Sequence, residues 1–455
     1  MSKTATAVGG KGTLVPMNEE ADALAGGKSE ASPSLAGQLR AIFMTPLPLK
    51  VLLLAVPVAI FAGRFELGDT VIFSACFLGL IPLAALLGDF TEDLALRSND
   101  VVGALINVTF GNATELIISI CALRAGMYQL IKLSLIGSIM GNMLLVLGSA
   151  FVVGGLRRKS LEFNCNAVNT YGPLLLLSMM SFVIPSAYST GVLNSPAATR
   201  EETHVVLSVS RQLAVIMCLT YVAYLVFQLV THKEMFDGSA ETEDGEKPVS
   251  LALNHSFVRF ANYGAAGGDG TTPRRSPSAA ALPAATSHGG DDDDEAEEPQ
   301  FSLAVALGGM LVVSVLISIL SDTLVDSLKG AAAAMSLPDE FIGIILVPIV
   351  GNAAEHASSI VMAAKGKMDI AVGVALGSSI QIGMFVMPVL VVVAWIINLP
   401  LDMNFHPYIV AVLLVSVLVA NNITSDGKSN WLEGAMLIAA YLMIAIIFIN
   451  GSVLI

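Results

Sequence analysis

The chain has 455 residues, 55% of them hydrophobic and only 13% charged, with a mean hydropathy of +0.75. That composition excludes an ordinary soluble enzyme, because apolar runs long enough to cross a hydrocarbon core, about 20 residues each, recur along nearly all of it. The formal net charge of −14 is a local property: residues 231–300 hold fourteen acidic and five basic side chains, so −9 of it lies there.

Residues 1–45 are rich in Ala, Gly, Ser and charge and lack the apolar core of a signal peptide, so they are predicted to form a disordered cytosolic tail. A first transmembrane helix is expected within 46–66, over 49–65. A unit of five spans follows in 67–236, at 70–88, 101–123, 131–154, 168–190 and 207–230. Residues 237–300 are biased to Gly, Pro, Ser and Ala and carry the run Asp291–Glu298, "DDDDEAEE", which reads as a disordered acidic cytosolic loop. A second unit of five spans occupies 301–455, at 301–328, 339–363, 369–394, 405–424 and 430–450. The expected fold is an all-α polytopic membrane protein of eleven transmembrane helices. Cys76, Cys121, Cys165 and Cys218 are widely spaced, with no CxxC pattern, and read as small packing residues.

Lysine and arginine mark every second connection: Arg97; Arg157, Arg158 and Lys159; Lys233 and Lys247; Lys365 and Lys367; Lys428. The richer side is expected to face the cytosol, which puts the N-terminus and the acidic loop there.

Two polar stretches interrupt this apolar sequence, "FGNATELIISICAL" (110–123) and "PIVGNAAEHASSIVMAA" (348–364). At a constant offset of 240, residues 111–146 and 351–386 match at ten of 36 positions, chiefly polar and small ones. The two stretches lie five crossings apart and therefore run in opposite directions. One helix plus two inverted five-helix repeats is the architecture this predicts, a plan common among secondary transporters.

In each repeat Asn, Glu and Ser fall at relative positions 0, +3 and +7, on one helical stripe: Asn112, Glu115 and Ser119, then Asn352, Glu355 and Ser359. The next span of each half adds "GSIMGN" (137–142) and "GSSIQI" (377–382), with Ser138, Asn142, Ser378, Ser379 and Gln381. Every donor in the set is an oxygen, which suits a hard divalent cation, Ca²⁺ before Zn²⁺ or Cu⁺, with Mn²⁺ tolerated. Asn and Ser also glue helices together, but a glutamate duplicated at one repeat position inside a membrane points to function. Desolvation and a second carboxylate both favour the protonated acid, so protons and Ca²⁺ are expected to compete for Glu115 and Glu355. Two protons carry the charge of one Ca²⁺. The site filled by neither is the costly state, and avoiding it couples the two fluxes.

These paired motifs, each followed by a Gly-Ser span, resemble the signature repeats of the cation/proton exchangers, the Ca²⁺/H⁺ branch of the calcium/cation antiporter superfamily. The resemblance covers about residues 46–236 and 300–450. It implies a Ca²⁺ transport site at Glu115 and Glu355, aided by Asn112, Asn352, Ser138, Ser378 and Gln381. It also implies proton coupling through the two glutamates, with Glu92, Asp322 and His356 as further candidates. Glu92 and Asp322 read as repeat-related acids ending the spans before each motif, or else as solvated helix ends. His356 reads either as a wall or shuttle residue beside Glu355 or as a hydrogen-bonded core histidine. The Gly-Thr/Ser-Ser-x-Pro-Glu repeat of the sodium/calcium branch is absent, which favours H⁺ as counter-ion. The family's usual location implies a vacuolar or other acidic-organelle membrane.

The expected activity is therefore proton-driven antiport of cytosolic Ca²⁺. The alternatives are a Na⁺- or K⁺-coupled Ca²⁺ exchanger and a passive cation channel. No enzyme, cofactor or nucleic-acid partner is expected, because no nucleophile–base pair, zinc motif or phosphate loop is present. Membrane lipid surrounds the spans, and the sequence is compatible with a homo-oligomer.

Overall fold

The computed structural model describes residues 51–65, 67–98, 100–193, 200–236, 299 and 301–450. The predicted tail, and all of the predicted acidic loop except Pro299, lie outside the described residues. In chain order the helices are α1 (Ala55–Arg64), α2 (Asp69–Leu96), α3 (Asp100–Phe110), α4 (Ala113–Arg124) and α5 (Tyr128–Arg157). Then come α6 (Cys165–Leu193), α7 (Arg200–Val226), α8 (Leu303–Met335), α9 (Asp339–Gly351) and α10 (Ala353–Lys365). The last are α11 (Met368–Ile396), α12 (Pro407–Thr424) and α13 (Trp431–Asn450). Among the described residues eight helices are long and apolar enough to cross a membrane, and the bent pair α9–α10 brings the number to nine.

Burial sorts these helices into a centre and a rim. In α5, 78% of the most apolar window is buried inside the protein, and in α11 67%, against 22% in α8 and α13. The rim helices present large apolar side chains outward, among them Leu219, Leu311 and Met443 at 65%, 66% and 62% exposure. Water would penalise such a surface, whereas hydrocarbon accepts it.

Two of the predicted spans are each broken in the middle. The span expected at 101–123 divides into α3 and α4 at Gly111–Asn112, and the one at 339–363 into α9 and α10 at Asn352, where the axis bends by 58°. The pieces after each break end alike. Gly126 and Gly366 take left-handed φ of 71° and 83°, and the next residues, Met127 and Lys367, donate to Ala122 and Met362 carbonyls at 2.9 Å. That is the same glycine-terminated cap twice, 240 residues apart. The central helices α5 and α11 also match, each with a π-helical segment, Gly141–Val146 and Ile382–Val386.

The connections rich in Lys and Arg meet on one side. Arg157 and Arg158 donate to the carbonyls of Ala364 and Gly366, and Asn164 links the Asp369 carboxylate to the Met235 carbonyl. The strands β1 (Leu161–Glu162) and β2 (Lys428–Ser429) pair antiparallel, and Lys428 bridges to Glu162 at 3.0 Å. Elsewhere the α11–α12 connection is tied down by Lys132, which pairs with Asp402 at 3.0 Å, and by Ser186 and Ser210, which accept from the Phe405 and Met403 amides.

Where the chain enters α8, Phe301 is buried against Phe90 and clasped by α2. Asp93 accepts from the Phe301 amide at 2.9 Å and from Arg97 at 3.1 Å, and Arg97 also donates to the Phe301 carbonyl. Removing Asp93 strands a buried amide and a guanidinium, so Asp93→Ala is expected to cost about 1–3 kcal/mol. Lys428→Ala, which breaks an exposed pair, should cost less than about 1 kcal/mol. Thermal unfolding in detergent distinguishes the two variants, and equal shifts would contradict this assignment.

Candidate cation site

Each broken span creates a helix start in the interior. Asn112 and Asn352 stand just before α4 and α10 with φ of −106° and −83°, outside regular helical geometry. Glu115 and Glu355 follow in the first turn, where the helix dipole favours a negative charge. Neither asparagine caps its own helix with its side chain. Both amides reach across to the other half of the chain instead. Asn112 Nδ2 donates to Gln381 Oε1 on α11, and Asn352 Nδ2 donates to the Ser138 carbonyl on α5 at 3.1 Å.

That crossed arrangement decides where the oxygens go. With each Nδ2 engaged, Oδ1 of both asparagines is left without a donor, as are both carboxylate oxygens of Glu115 and Oε2 of Glu355. The four residues are 2%, 4%, 5% and 8% exposed in the order Asn112, Asn352, Glu115, Glu355. Five buried acceptors thus gather with no hydrogen-bond donor among the described residues. Each would cost about 1–3 kcal/mol if left bare, and more where it is charged. A cation, or protons on the acids, removes that cost.

Glu115 packs against the opposite break: a Cβ on Gly351 would stand 2.6 Å from Glu115 Oε1, so only glycine leaves it room. Glu355 lines a cavity of about 100 Å³ with Gly111 of the other break, enough for a few waters. Thr91 and Glu92 of α2, Asn107 of α3, Ser358 of α10, and Ser378 and Gln381 of α11 complete its polar lining. Along α10 and α11 this cavity runs from Glu355 and Gln381 towards Ser358 and Val374, that is, towards the side of Arg157, Arg158 and Lys365. Glu115 does not line it.

Most of the predicted site is brought together: Asn112, Glu115, Ser138, Asn352, Glu355, Ser378, Gln381 and Glu92. Ser138 takes part through its backbone carbonyl, and Gln381 gives its side-chain oxygen to Asn112. His356 is half-buried and does not line the cavity, in keeping with the turn of about 100° between neighbouring helical residues. Asp322 is not part of the cluster. Its side chain is 48% exposed and faces Arg124 at 4.0 Å, at the far end of α4 from Glu115. Sequence reasoning missed Thr91 and Asn107. Gly88, Thr91 and Glu92 form an i, i+3, i+4 stripe that could have revealed the first.

The oxygen-only character of the cluster fits a hard cation. No three His, Cys, Asp or Glu side chains converge among the described residues, so two carboxylates must be supplemented by amide, hydroxyl and carbonyl oxygens.

Comparison with known proteins agrees with this chemistry. A model of the sodium/calcium exchanger protein family matches residues 69–230 and 305–450. A Ca²⁺/H⁺ antiporter of Synechocystis sp. is 37% identical over 401 residues, 88% of this chain and 96% of the relative. A vacuolar calcium ion transporter of Schizosaccharomyces pombe is 34% identical over 91% of this chain and 87% of its own length. Vacuolar cation/proton exchanger 2 of Oryza sativa subsp. japonica is 37% identical over 83% and 75%. Among solved structures, native YfkE is similar with a TM-score of 0.66 at 31% identity, covering 88% of this chain and 99% of YfkE. The selenium-substituted form, described as a Ca²⁺/H⁺ antiporter protein, has a TM-score of 0.63 at the same identity.

Gly351→Ala should push the Glu115 carboxylate out of place and weaken divalent-cation binding at least about tenfold. Gly308→Ala, where an added Cβ meets nothing within 4 Å, should leave it unchanged. Calorimetric titration of the detergent-purified proteins with Ca²⁺ measures both.

Proposed function

This chain belongs to the sodium/calcium exchanger protein family, and from that premise we propose that it is a proton-driven Ca²⁺ antiporter. It moves cytosolic Ca²⁺, with Mn²⁺ tolerated, into an acidic compartment by alternating access. The observation that carries this reading is the group of five buried oxygens with no donor among the described residues, held around two glutamates from opposite breaks. Ca²⁺ and H⁺ are the cargo, and no cofactor takes part.

Glu115 and Glu355 each take a proton or jointly hold Ca²⁺, with Asn112 and Asn352 contributing Oδ1. Two protons and one Ca²⁺ neutralise the pair equally, and the bare, doubly charged pair is too costly to populate inside a membrane. The carrier therefore changes its facing only when filled, which ties the two fluxes together. In the present conformation the route reaches Glu355 from the Lys- and Arg-rich side, while Glu115 is enclosed behind Gly351. Glu92, four residues before the end of α2, receives the ion or proton on the way.

The architecture we propose is α1 followed by two five-span units of opposite orientation. These are α2, α3–α4, α5, α6 and α7, then α8, α9–α10, α11, α12 and α13. One contact supports it directly. Ser379 Oγ lies 3.5 Å from the Ile139 carbonyl, and these residues are 240 apart. Equivalent positions touch only close to the axis that relates them. The Lys- and Arg-rich connections, and with them the N-terminus, belong to the cytosol. The yeast and rice relatives support a vacuolar membrane.

The family's description names sodium, so the counter-ion is tested directly. In sealed vesicles with an acid interior and sodium-free buffer, radiolabelled Ca²⁺ uptake should be fast and should collapse on adding a protonophore. Uptake that needs sodium and ignores the pH gradient rejects the proton. Glu115→Gln and Glu355→Gln should each reduce uptake at least about a hundredfold with normal insertion, because each leaves the exchange without its matching charge. Near-normal transport by either variant removes that glutamate from the mechanism.

A further inference from the structure

A second cavity, of about 500 Å³, lies apart from the cation site, where α1 ends, α2 begins and both rest on α8. α2 finishes at the opposite face, beside Arg97 of the Lys- and Arg-rich set, so this cavity belongs to the other side of the membrane. We infer that it binds one phospholipid with a primary-ammonium headgroup, the phosphate on Arg64 and the ammonium on Asp69 and Asp326. The inference rests on the chain being embedded in a membrane and not on the counter-ion or on the acids that carry Ca²⁺.

Three helices give the cavity the same order of polarity. α1 contributes Ile60 and Phe61, then Arg64 as its last residue. α2 contributes Asp69 as its first residue, then Ile72 about one turn further in. α8 contributes Ile319, then Thr323 and Asp326 towards its end. Ile319 and Asp326 are about 10 Å apart along the helix axis. Charged groups therefore gather at one end, and apolar side chains lead from them towards the middle of the spans. Phe61 and Ile319 are 60% and 45% exposed, on a rim that hydrocarbon accepts and water does not. A lipid has the same order, head then chain.

Glycine brings the two acids together. A Cβ on Gly330 would collide with Asp69 Oδ2, so the Asp69 carboxylate lies against the α8 backbone one turn beyond Asp326, on the same helical face. Gly63 holds the end of α1 equally near: an added Cβ would stand 3.2 Å from Thr323 Cγ2. Among the described residues neither acid forms an ion pair, and neither does Arg64. The Thr323 and Ser327 hydroxyls are engaged with the Ile319 and Thr323 carbonyls at 2.9 Å. What remains for a ligand is two carboxylates and a guanidinium at the end of an apolar wall.

That set selects the headgroup. A metal ion would use neither the guanidinium nor the wall, and the volume is that of a site for a whole small molecule. A zwitterionic headgroup uses every part. The guanidinium can take a phosphate through two parallel hydrogen bonds, and a primary ammonium brings three N–H donors to the carboxylates. A quaternary ammonium has no N–H to give, so a choline headgroup loses that half of the recognition.

Native mass spectrometry of the full chain, released from micelles holding equal amounts of phosphatidylethanolamine and phosphatidylcholine, tests the inference. One phosphatidylethanolamine should be retained per chain, in preference to phosphatidylcholine by about tenfold or more. Asp326→Asn should abolish the preference, and Arg64→Gln should lower retention of both lipids about tenfold. Both residues lie outside the cation site, so calorimetric Ca²⁺ binding by the same preparations should stay within about twofold and reports that the variants are folded. Equal retention of the two lipids by the unaltered chain, as annular lipid only, overturns the inference whatever the variants do. A preference that survives both substitutions overturns it as well. Retention of Ca²⁺ in place of lipid at these acids, abolished by Asp326→Asn, makes the pair a metal site and overturns it too.

Discussion

Five oxygen acceptors enclosed by membrane-crossing helices, with no donor to meet them among the described residues, set the terms for the rest of this molecule. Two of the residues are acids, and an uncompensated ion costs several kcal/mol even after the protein relaxes around it. An apolar interior would avoid that cost altogether. A chain that keeps the acids in both halves must therefore keep them filled, and the identity of the filler is a question of charge and oxygen chemistry. Protons and a hard divalent ion satisfy both.

The site exists only between the halves. Asn112 belongs to one half and its partner Gln381 to the other; Asn352 and Ser138 repeat the crossing in reverse. The Glu115 carboxylate occupies space that Gly351, from the opposite half, leaves open. Neither half alone could aim the oxygens, so a shift of one against the other changes the coordination of the ion as directly as it changes access. Packing and transport are in this sense one property.

Much of this was legible in the sequence because polar residues stand out in apolar surroundings. The Gly-Asn pairs at 111–112 and 351–352 marked the breaks, and the 0, +3, +7 spacing put Asn and Glu on one stripe. What the spacing could not give was the direction of each amide, which depends on a partner about 214 or 269 residues away. The position of Asp322 away from the cluster has a simple cause. The predicted span ended at 328, yet α8 continues to Met335, because alanines 331–334 extend a helix past Asp326 and Lys329. Glu92 is one turn from the end of α2, whereas Asp322 is more than three turns from the end of α8, and the two acids serve different neighbours.

The halves also differ in how firmly they hold their asparagines. Asn352 is bound to a backbone carbonyl of α5, which cannot turn away without its helix. The far end of the same helix, α10, is fixed to the end of α5, where Arg157 and Arg158 satisfy the carbonyls of Ala364 and Gly366 and oppose the negative end of the helix dipole. Both ends of α10 are thus joined to α5, one at its middle and one at its end, across the boundary between halves. Asn112, by contrast, rests on the side chain of Gln381, which can rotate while α11 stays in place. The firm pair carries Glu355, the acid the cavity reaches, and the loose contact orients the oxygen beside Glu115, the acid that is sealed. The Asn112–Gln381 contact can therefore change without separating α5 from α10.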